Sequence, residues 1–541
     1  MRLKVINSIF ELQSKHTMAK ISTKNIFKQY DQQQGLLIPP SLDELISPND
    51  LVRVVNQVVE EMDISSLLEQ YPGGGSSSYH PKMLLKVLLY GYSVKLYTGR
   101  KIAKAISQNI NFMWLSAMSR PDFRTINNFR SSKAKEVIEE LFQELLSFLV
   151  YHQYIKLENY FCDGSTFMAN GNKNKMVWKK NAQRYKEVTE KRCEQLFIDI
   201  ESLNQEEDKQ YGNMDLEEKG EQSTITPDAI NNQVQQLNQK LKVATDNQQK
   251  RKIASLKNKL QGEKSKIQKY QRQIEIAGKR SGYNKTDKDA TAMMMKNKVE
   301  ILPAYNVLAG CEDQFITGIS VHQNTNDATC FSQHLEHLEK QQPFQVENII
   351  ADSIFGTEQN YDIIEEKKIG NYMKFPQFHG EQKKKNRENP FAKENFTYVS
   401  ESDCFICPNN RKINFKKINK ITSKKTGYES TVKEYQCEDC SECPFFKQCC
   451  KAETGGHRTI SINEKLDRYK QQARDNLNSP EGEKLRKRRS IEIESCFGDI
   501  KYNMGFRRFN LRGTEKVATE ITLVAMAHNL RKLHLKQEIA A

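Results

Sequence analysis

Three carboxylates carry the most specific chemistry in the chain. Asp163 follows Tyr160-Phe161-Cys162, a short run of strand formers, and Asp352 follows Val346-Glu347-Asn348-Ile349-Ile350-Ala351, a buried-type strand. Glu494 belongs to a helical pattern over residues 490–504. There Ile493, Phe497, Ile500 and Met504 fall at i, i+4, i+7 and i+11 and make one apolar stripe. At 3.6 residues per turn, Glu494 sits about 100° round from that stripe, and Lys501 lies on its face two turns later. Taken alone, this helix reads as an amphipathic helix with solvated charges. Taken with the two aspartates, it supplies a third hard oxygen ligand. Mg²⁺ prefers such ligands, and two ions about 3.5–4 Å apart can activate an attacking oxygen and stabilise a leaving one at phosphorus.

The elements around these residues must bring them together. Residues 302–311 and 315–322 read as a hairpin across a polar turn, and Asn326-Asp327 opens a helical run to about Glu339. The order is strand, hairpin, helix, strand. If the first and last strands are parallel neighbours, Asp163 and Asp352 end side by side. That is the element order of an RNase H-like mixed-sheet core, assembled here from 156–170, 286–375 and 478–541. Two insertions interrupt it. Residues 171–285 begin with a basic run, pass an acidic stretch around Gln205–Gln222 expected to be disordered, and then become helical. Ile253, Leu256, Leu260, Ile267, Tyr270 and Ile274 there suit a helical hairpin or short coiled coil, or a solvated helix with a weak seam. Residues 376–477 form a Cys-rich insertion.

Ahead of the core, 35–155 reads as a helical domain and 1–34 as an N-terminal extension. Asp122 is placed as the N-cap of FRTINNFR. Short helices interspersed with Arg100, Lys101, Lys104, Arg120, Arg124 and Arg130 suit a helix-turn-helix-like DNA reader, and equally an ordinary bundle with solvated basic residues. The net charge of +15 favours a polyanionic partner such as double-stranded DNA. No segment reaches the roughly 20 apolar residues that span a bilayer, so no membrane partner and a cytoplasmic, nucleoid-associated location are expected. Seven of the 12 cysteines fall between Cys404 and Cys450. The pairs Cys404/Cys407 and Cys437/Cys440 could hold one structural Zn²⁺, or the cysteines could be reduced thiols without metal. Cys162, Cys193, Cys311, Cys330 and Cys496 read as isolated packing residues.

Several segments together resemble the DDE transposases of bacterial insertion sequences: YFCDGSTFMANGNKNKMVWKK, TDKDATAMMMK, LPAYNV, IIADSIFGTEQNYDII, and IEIESCFGDIKYNMGFRRFNLRGTEKV with AMAHNLRKL. SRPDFRTINNFR extends the likeness toward the N-terminus, and in all it covers about residues 35 to 536. The resemblance implies that Asp163, Asp352 and Glu494 are the catalytic triad holding two Mg²⁺ (or Mn²⁺). It implies that Lys501 contacts DNA near the cleaved end. The related branch carries a tyrosine and an arginine ahead of the glutamate; Lys487 and Ser490 stand at those positions, leaving Arg488 or Arg489 to substitute. Glu492 is the rival of Glu494 but lacks the lysine at the matching spacing. Arg507, Arg508 and Arg512 join Lys501 in a basic C-terminal segment expected on DNA. The implied activity is cleavage and joining at element ends by a homodimer. An RNase H-like nuclease or resolvase, and a DNA-binding relative without catalysis, are the alternatives.

Overall fold

Helix caps written in the sequence punctuate the N-terminal segment. In the computed structural model, which describes residues 40–71, 78–211, 226–295, 299–341, 346–450 and 456–540, the expected 1–34 extension lies outside the described residues. The chain divides into two units, Met1–Ser47 and Pro48–Ala541. Residues 40–47 of the first form turns, and all that follows concerns the second. Asp50 caps α1 (Leu51–Glu61), Ile64 precedes α2 (Ser65–Glu69), and His80 caps α3 (Pro81–Ser93). Thr98 caps α4 (Gly99–Gln108), Asn109 caps α5 (Ile110–Leu115) and Asp122 caps α6 (Phe123–Asn128), each accepting a backbone N–H of the first turn. The long α7 (Ala134–Tyr151) follows, its apolar face buried through Leu141, Leu145 and Leu149.

The chain then enters the sheet on β1 (Asn159–Met168). A two-stranded neck, β2 (Met176–Trp178) against β3 (Gly282–Asn284), frames the helical insertion. This holds three helices rather than a hairpin: α8 (Lys179–Tyr211), α9 (Pro227–Val243) and α10 (Asn247–Ala277). Their shared core contains Cys193, Ile200, Ile230, Val234, Leu237, Ile253, Leu260 and Ile267. Residues 205–211, expected to be disordered, continue α8, and 212–225 lie outside the described residues.

β4 (Thr291–Met294), β5 (Ile301–Glu312) and β6 (Phe315–His322) complete the antiparallel side of the sheet. α11 (Asp327–Gln341), β7 (Asn348–Ala351), α12 (Glu358–Glu366) and β8 (Gly370–Met373) complete the parallel side. β5 carries β1 on one edge and β4 and β6 on the other, and β1, β7 and β8 run parallel. The result is the mixed α/β architecture expected. Asp313 and Gln314 form the two-residue hairpin turn with φ of 51° and 63°, the left-handed pair that matches strand twist.

One expectation is corrected here. β1 does not end at Asp163 but runs on to Met168, because Ser165–Met168 keep pairing with Ala304–Val307 of β5 after the partnership with β7 stops. The Cys-rich insertion is a second sheet of order β13-β12-β11-β10-β9, comprising β9 (Thr397–Val399), β10 (Cys404–Ile406), β11 (Lys412–Thr422), β12 (Glu429–Cys437) and β13 (Thr459–Ile462). α13 (Glu464–Asn478) and α14 (Pro480–Arg489) return the chain to the core. α15 (Thr514–Ala540) packs on β6, α3 and α7. No helix among the described residues is long and apolar enough to cross a membrane.

Candidate active site

Strand alternation sorts the catalytic candidates onto one face. The last paired row of the three parallel strands is Cys162, Ala351 and Met373, and all three are buried in one apolar cluster. Successive side chains of a strand point to opposite faces. The next row, Asp163, Asp352 and Lys374, therefore opens on the other side of the sheet. Asp163 and Asp352, remote in sequence, stand one residue past directly paired neighbours, about 4.8 Å apart by strand spacing.

The segment carrying Glu494 lies along β1 on that same face. It is a helix with two wide π turns, Ser490–Glu494 and Asp499–Asn503, joined by Ser495–Gly498. Its Ile493, Phe497, Ile500 and Met504 are buried, as the stripe requires. Upstream, the Arg488 guanidinium covers the Phe161 ring at 5.3 Å; downstream, the Lys501 ammonium covers the Phe167 ring at 4.4 Å. These two contacts set the helix against the roughly 20 Å of strand from Phe161 to Phe167. Glu494, midway between Arg488 and Lys501, thus comes opposite the middle of Phe161–Phe167, where Asp163 stands.

The neighbours separate Glu494 from its rival. Glu492 is 4% exposed, accepts from the Gln314 backbone N–H at 2.7 Å, and pairs with Arg488 at 2.6 Å. Its oxygens hold the helix to the β5–β6 turn. Glu494 has a side chain 54% exposed, paired to Arg489 at 3.0 Å. Lys501 Nζ donates to Ser165 Oγ at 2.6 Å and to the Thr166 carbonyl at 2.8 Å, so it sits two residues from Asp163 along the strand.

Asp327, first residue of α11, lies on the opposite face of β1: it packs on Gly164 so closely that a Cβ at 164 would collide with its carboxyl group, and Asn306 donates to it. One further charged group borders the site and was missed in the sequence. Lys374 follows β8, and its backbone N–H donates to the Ala351 carbonyl at 3.3 Å. Burial pushes its ammonium below the ordinary lysine range. Arg489 and Arg486 push the same way, while Asp352 and Glu494 pull it back up. Nothing in local periodicity marked it.

The basic residues expected on DNA divide. Arg507, Arg508 and Arg512 are exposed, on the loop after the helix, and their side chains donate to the Lys501, Gly171 and Asn170 carbonyls. Arg508 and Arg512 line a groove of about 470 Å³ with Lys173 and the end of β1. Arg124 is exposed beside Phe123, as are Arg100, Lys101, Lys104 and Arg120. Arg130 is a correction. It is 4% exposed and its guanidinium donates to the Tyr92 hydroxyl and the Tyr97 carbonyl, both at 2.8 Å, and to Asn127. An arginine so enclosed braces α3 against α6 and is not available to DNA. Arg488 is likewise engaged by Glu492 and by Asp313 at 2.9 Å.

The cysteines also regroup. Cys407, Cys437, Cys440, Cys443, Cys449 and Cys450 surround a cavity of about 20 Å³ with Arg411 and Arg458. Cys404, expected among the zinc ligands, lies apart with its thiol 3.1 Å from the Ser402 hydroxyl. Cys404 opens β10, whereas Cys407 follows its end and lines the cavity. Among the described residues, no three His, Cys, Asp or Glu side chains form a preformed metal-holding group. Cys162, Cys193, Cys311, Cys330 and Cys496 are all buried.

Two models of known protein families match parts of the chain. Residues 40–132 match the family model described as Transposase domain (DUF772), and residues 406–534 match that described as Transposase DDE domain. No curated protein and no solved structure gave a match. One transposase model thus covers the helical N-terminal segment and a second covers Glu494 and Lys501, and together they support a DDE transposase of an insertion sequence.

Proposed function

We propose that this transposase binds the terminal inverted repeats of its element and catalyses metal-dependent DNA cleavage and strand transfer in an RNase H-like core. The observation that carries the reading is the shared face: Asp163 and Asp352 on one row, with Glu494 laid opposite by the Arg488–Phe161 and Lys501–Phe167 contacts. Carboxylate oxygens are the donor set that Mg²⁺ or Mn²⁺ takes, and Asp163, Asp352 and Glu494 would hold the ions. Two bound ions would supply nucleophile activation and leaving-group stabilisation at the phosphate. The chain's own groups do the rest. Lys501 fixes the helix on β1, Arg489 orients Glu494, and Arg508 and Arg512 present cations along the groove where the DNA backbone runs. Arg124 and its exposed neighbours on α4 and α6 read the element end. Two ends must be held at once, so the working form is a homodimer.

The test is cleavage and joining of DNA carrying the element ends, with Mg²⁺ or Mn²⁺ and with EDTA. Metal-dependent nicking at the ends with joined products, absent in Glu494→Gln, supports the reading. Cleavage without joining would instead make the protein a nuclease or resolvase, and end binding without cleavage an inactive relative.

For the Cys-rich sheet we assign one structural Zn²⁺ with the ligands redrawn as Cys407, Cys437, Cys440 and Cys449. The redrawing follows the thiols that face one cavity, with the Arg458 backbone N–H directed at Cys440 Sγ at 3.3 Å; the four would close on the ion when it binds. Metal analysis should find about one zinc per chain, lost in Cys440→Ser and retained in Cys404→Ser. Zinc-free protein would leave these as reduced thiols.

A further inference from the structure

Lys374 occupies the third place in the row that begins Asp163, Asp352. The neighbouring position on β8, Met373, is buried in the apolar cluster below the sheet, which sends residue 374 to the upper face. Its backbone is fixed by the N–H bond to Ala351, the residue before Asp352. The half-buried ammonium feels Asp352 and Glu494, yet no salt bridge ties it to either among the described residues. Arg489, which stands in the same neighbourhood, is by contrast paired with Glu494.

A lysine held beside two carboxylates without pairing has two uses. It could offset their repulsion until cations arrive, or it could await an anion. Geometry favours the second. Its strand places it beside Asp352 on the side away from Asp163, while Arg489 already balances Glu494. Once cations fill the carboxylates, the remaining partner for the Lys374 ammonium is a phosphate oxygen.

Building on the transposase reading above, we propose that Lys374 is a further catalytic residue, contacting a non-bridging oxygen of the scissile phosphate and stabilising the charge that develops there. Such a donor, aimed at developing charge, contributes about 10²–10³-fold to rate.

The experiment uses the full chain, an element-end duplex, and the same duplex with a neutral methylphosphonate at the scissile position. Lys374→Ala should melt and bind ends like the parent, yet cleave about 100-fold more slowly at saturating Mg²⁺. Lys374→Arg should recover most of the rate. On the methylphosphonate the parent and Lys374→Ala should differ by less than about threefold, since the charge being met is gone. The proposal is overturned if saturating Mg²⁺ erases the defect, which would make Lys374 only a counter-ion of the empty carboxylates. An equal defect on both duplexes, or a lowered melting temperature that Lys374→Arg does not restore, would also overturn it. A parent that does not cleave, or an Asp352→Asn variant that still does, would bring down the transposase reading itself.

Discussion

Lys501 reaches across from the helix of Glu494 and donates to the Ser165 hydroxyl, two residues beyond Asp163. The bond ties the helix of Glu494, the third carboxylate of the proposed site, to the strand of Asp163. Its partner groups are neutral and its donor is charged, so removing it costs about 1.5–3 kcal/mol. Lys501→Met should lower the melting temperature by several degrees and slow end cleavage at least tenfold, and Lys501→Arg should keep the helix in place while losing part of the rate. Cleavage at the parental rate in Lys501→Met would remove the lysine from the mechanism.

Glu492 and Glu494 should fail in opposite ways. Glu492 is enclosed, and its removal leaves Arg488 without its closest carboxylate and the Gln314 N–H without an acceptor. Glu492→Ala should destabilise the protein by roughly 3 kcal/mol, visible in thermal melts. Glu494→Gln should melt like the parent and lose cleavage by at least about 10³-fold, the scale of a lost catalytic group. If Glu492→Ala melts normally and is catalytically dead, the two assignments are exchanged.

A pH dependence follows from His528. Both ring nitrogens face acceptors, Asp499 at 2.8 Å and the Gln314 carbonyl at 3.0 Å, so both must carry protons. Burial alone would lower its pKa, but the bond to Asp499 and the neighbouring Cys496 outweigh it and raise the imidazole to about 10. The folded value lies above the unfolded one of about 6.5. The contribution is therefore complete below about pH 6.5 and is lost as pH rises through about 10. Melting temperature should fall over that window. In a Cys496→Ser background, which removes the adjacent thiol from the titration, His528→Gln should flatten the fall. An unchanged slope would show that the imidazole is neutral in the folded protein.

Salt dependence separates the arginines. Arg508→Ala and Arg512→Ala should each weaken end binding and lower the slope of log K against log salt by about one, as for a phosphate contact. Arg130→Ala should instead lower stability, because Tyr92 and the Tyr97 carbonyl lose a buried donor. A changed salt slope with normal melting in Arg130→Ala would return it to the DNA interface.

Much of the architecture was legible because it is local. The hairpin of β5 and β6, the start of α11 at Asp327, the cap at Asp122 and the stripe of Ile493, Phe497, Ile500 and Met504 are all set by period and turn chemistry, and all are present. What escaped depends on neighbours remote in sequence. Lys374 is placed only by the register of β8 on β7, and no pattern along residues 370–375 reveals it. Arg130 and Arg124 read alike in FRTINNFR, yet one is buried against the Tyr92 hydroxyl and the other faces solvent. Cys404 and Cys407 have metal-knuckle spacing, but only Cys407, past the end of β10, lines the cavity shared with the later cysteines.

The neck of β2 and β3 bears on how such a chain could have grown. Val177 pairs with Tyr283, and Trp178 with Gly282, so the polypeptide leaves the core and rejoins it at neighbouring points, and the three helices between hang from one paired stem. The three helices bury their apolar residues among themselves. A segment attached in this way can be gained, lengthened or lost by a lineage through a single exchange at the stem, while the row of Asp163, Asp352 and Lys374 keeps its register throughout.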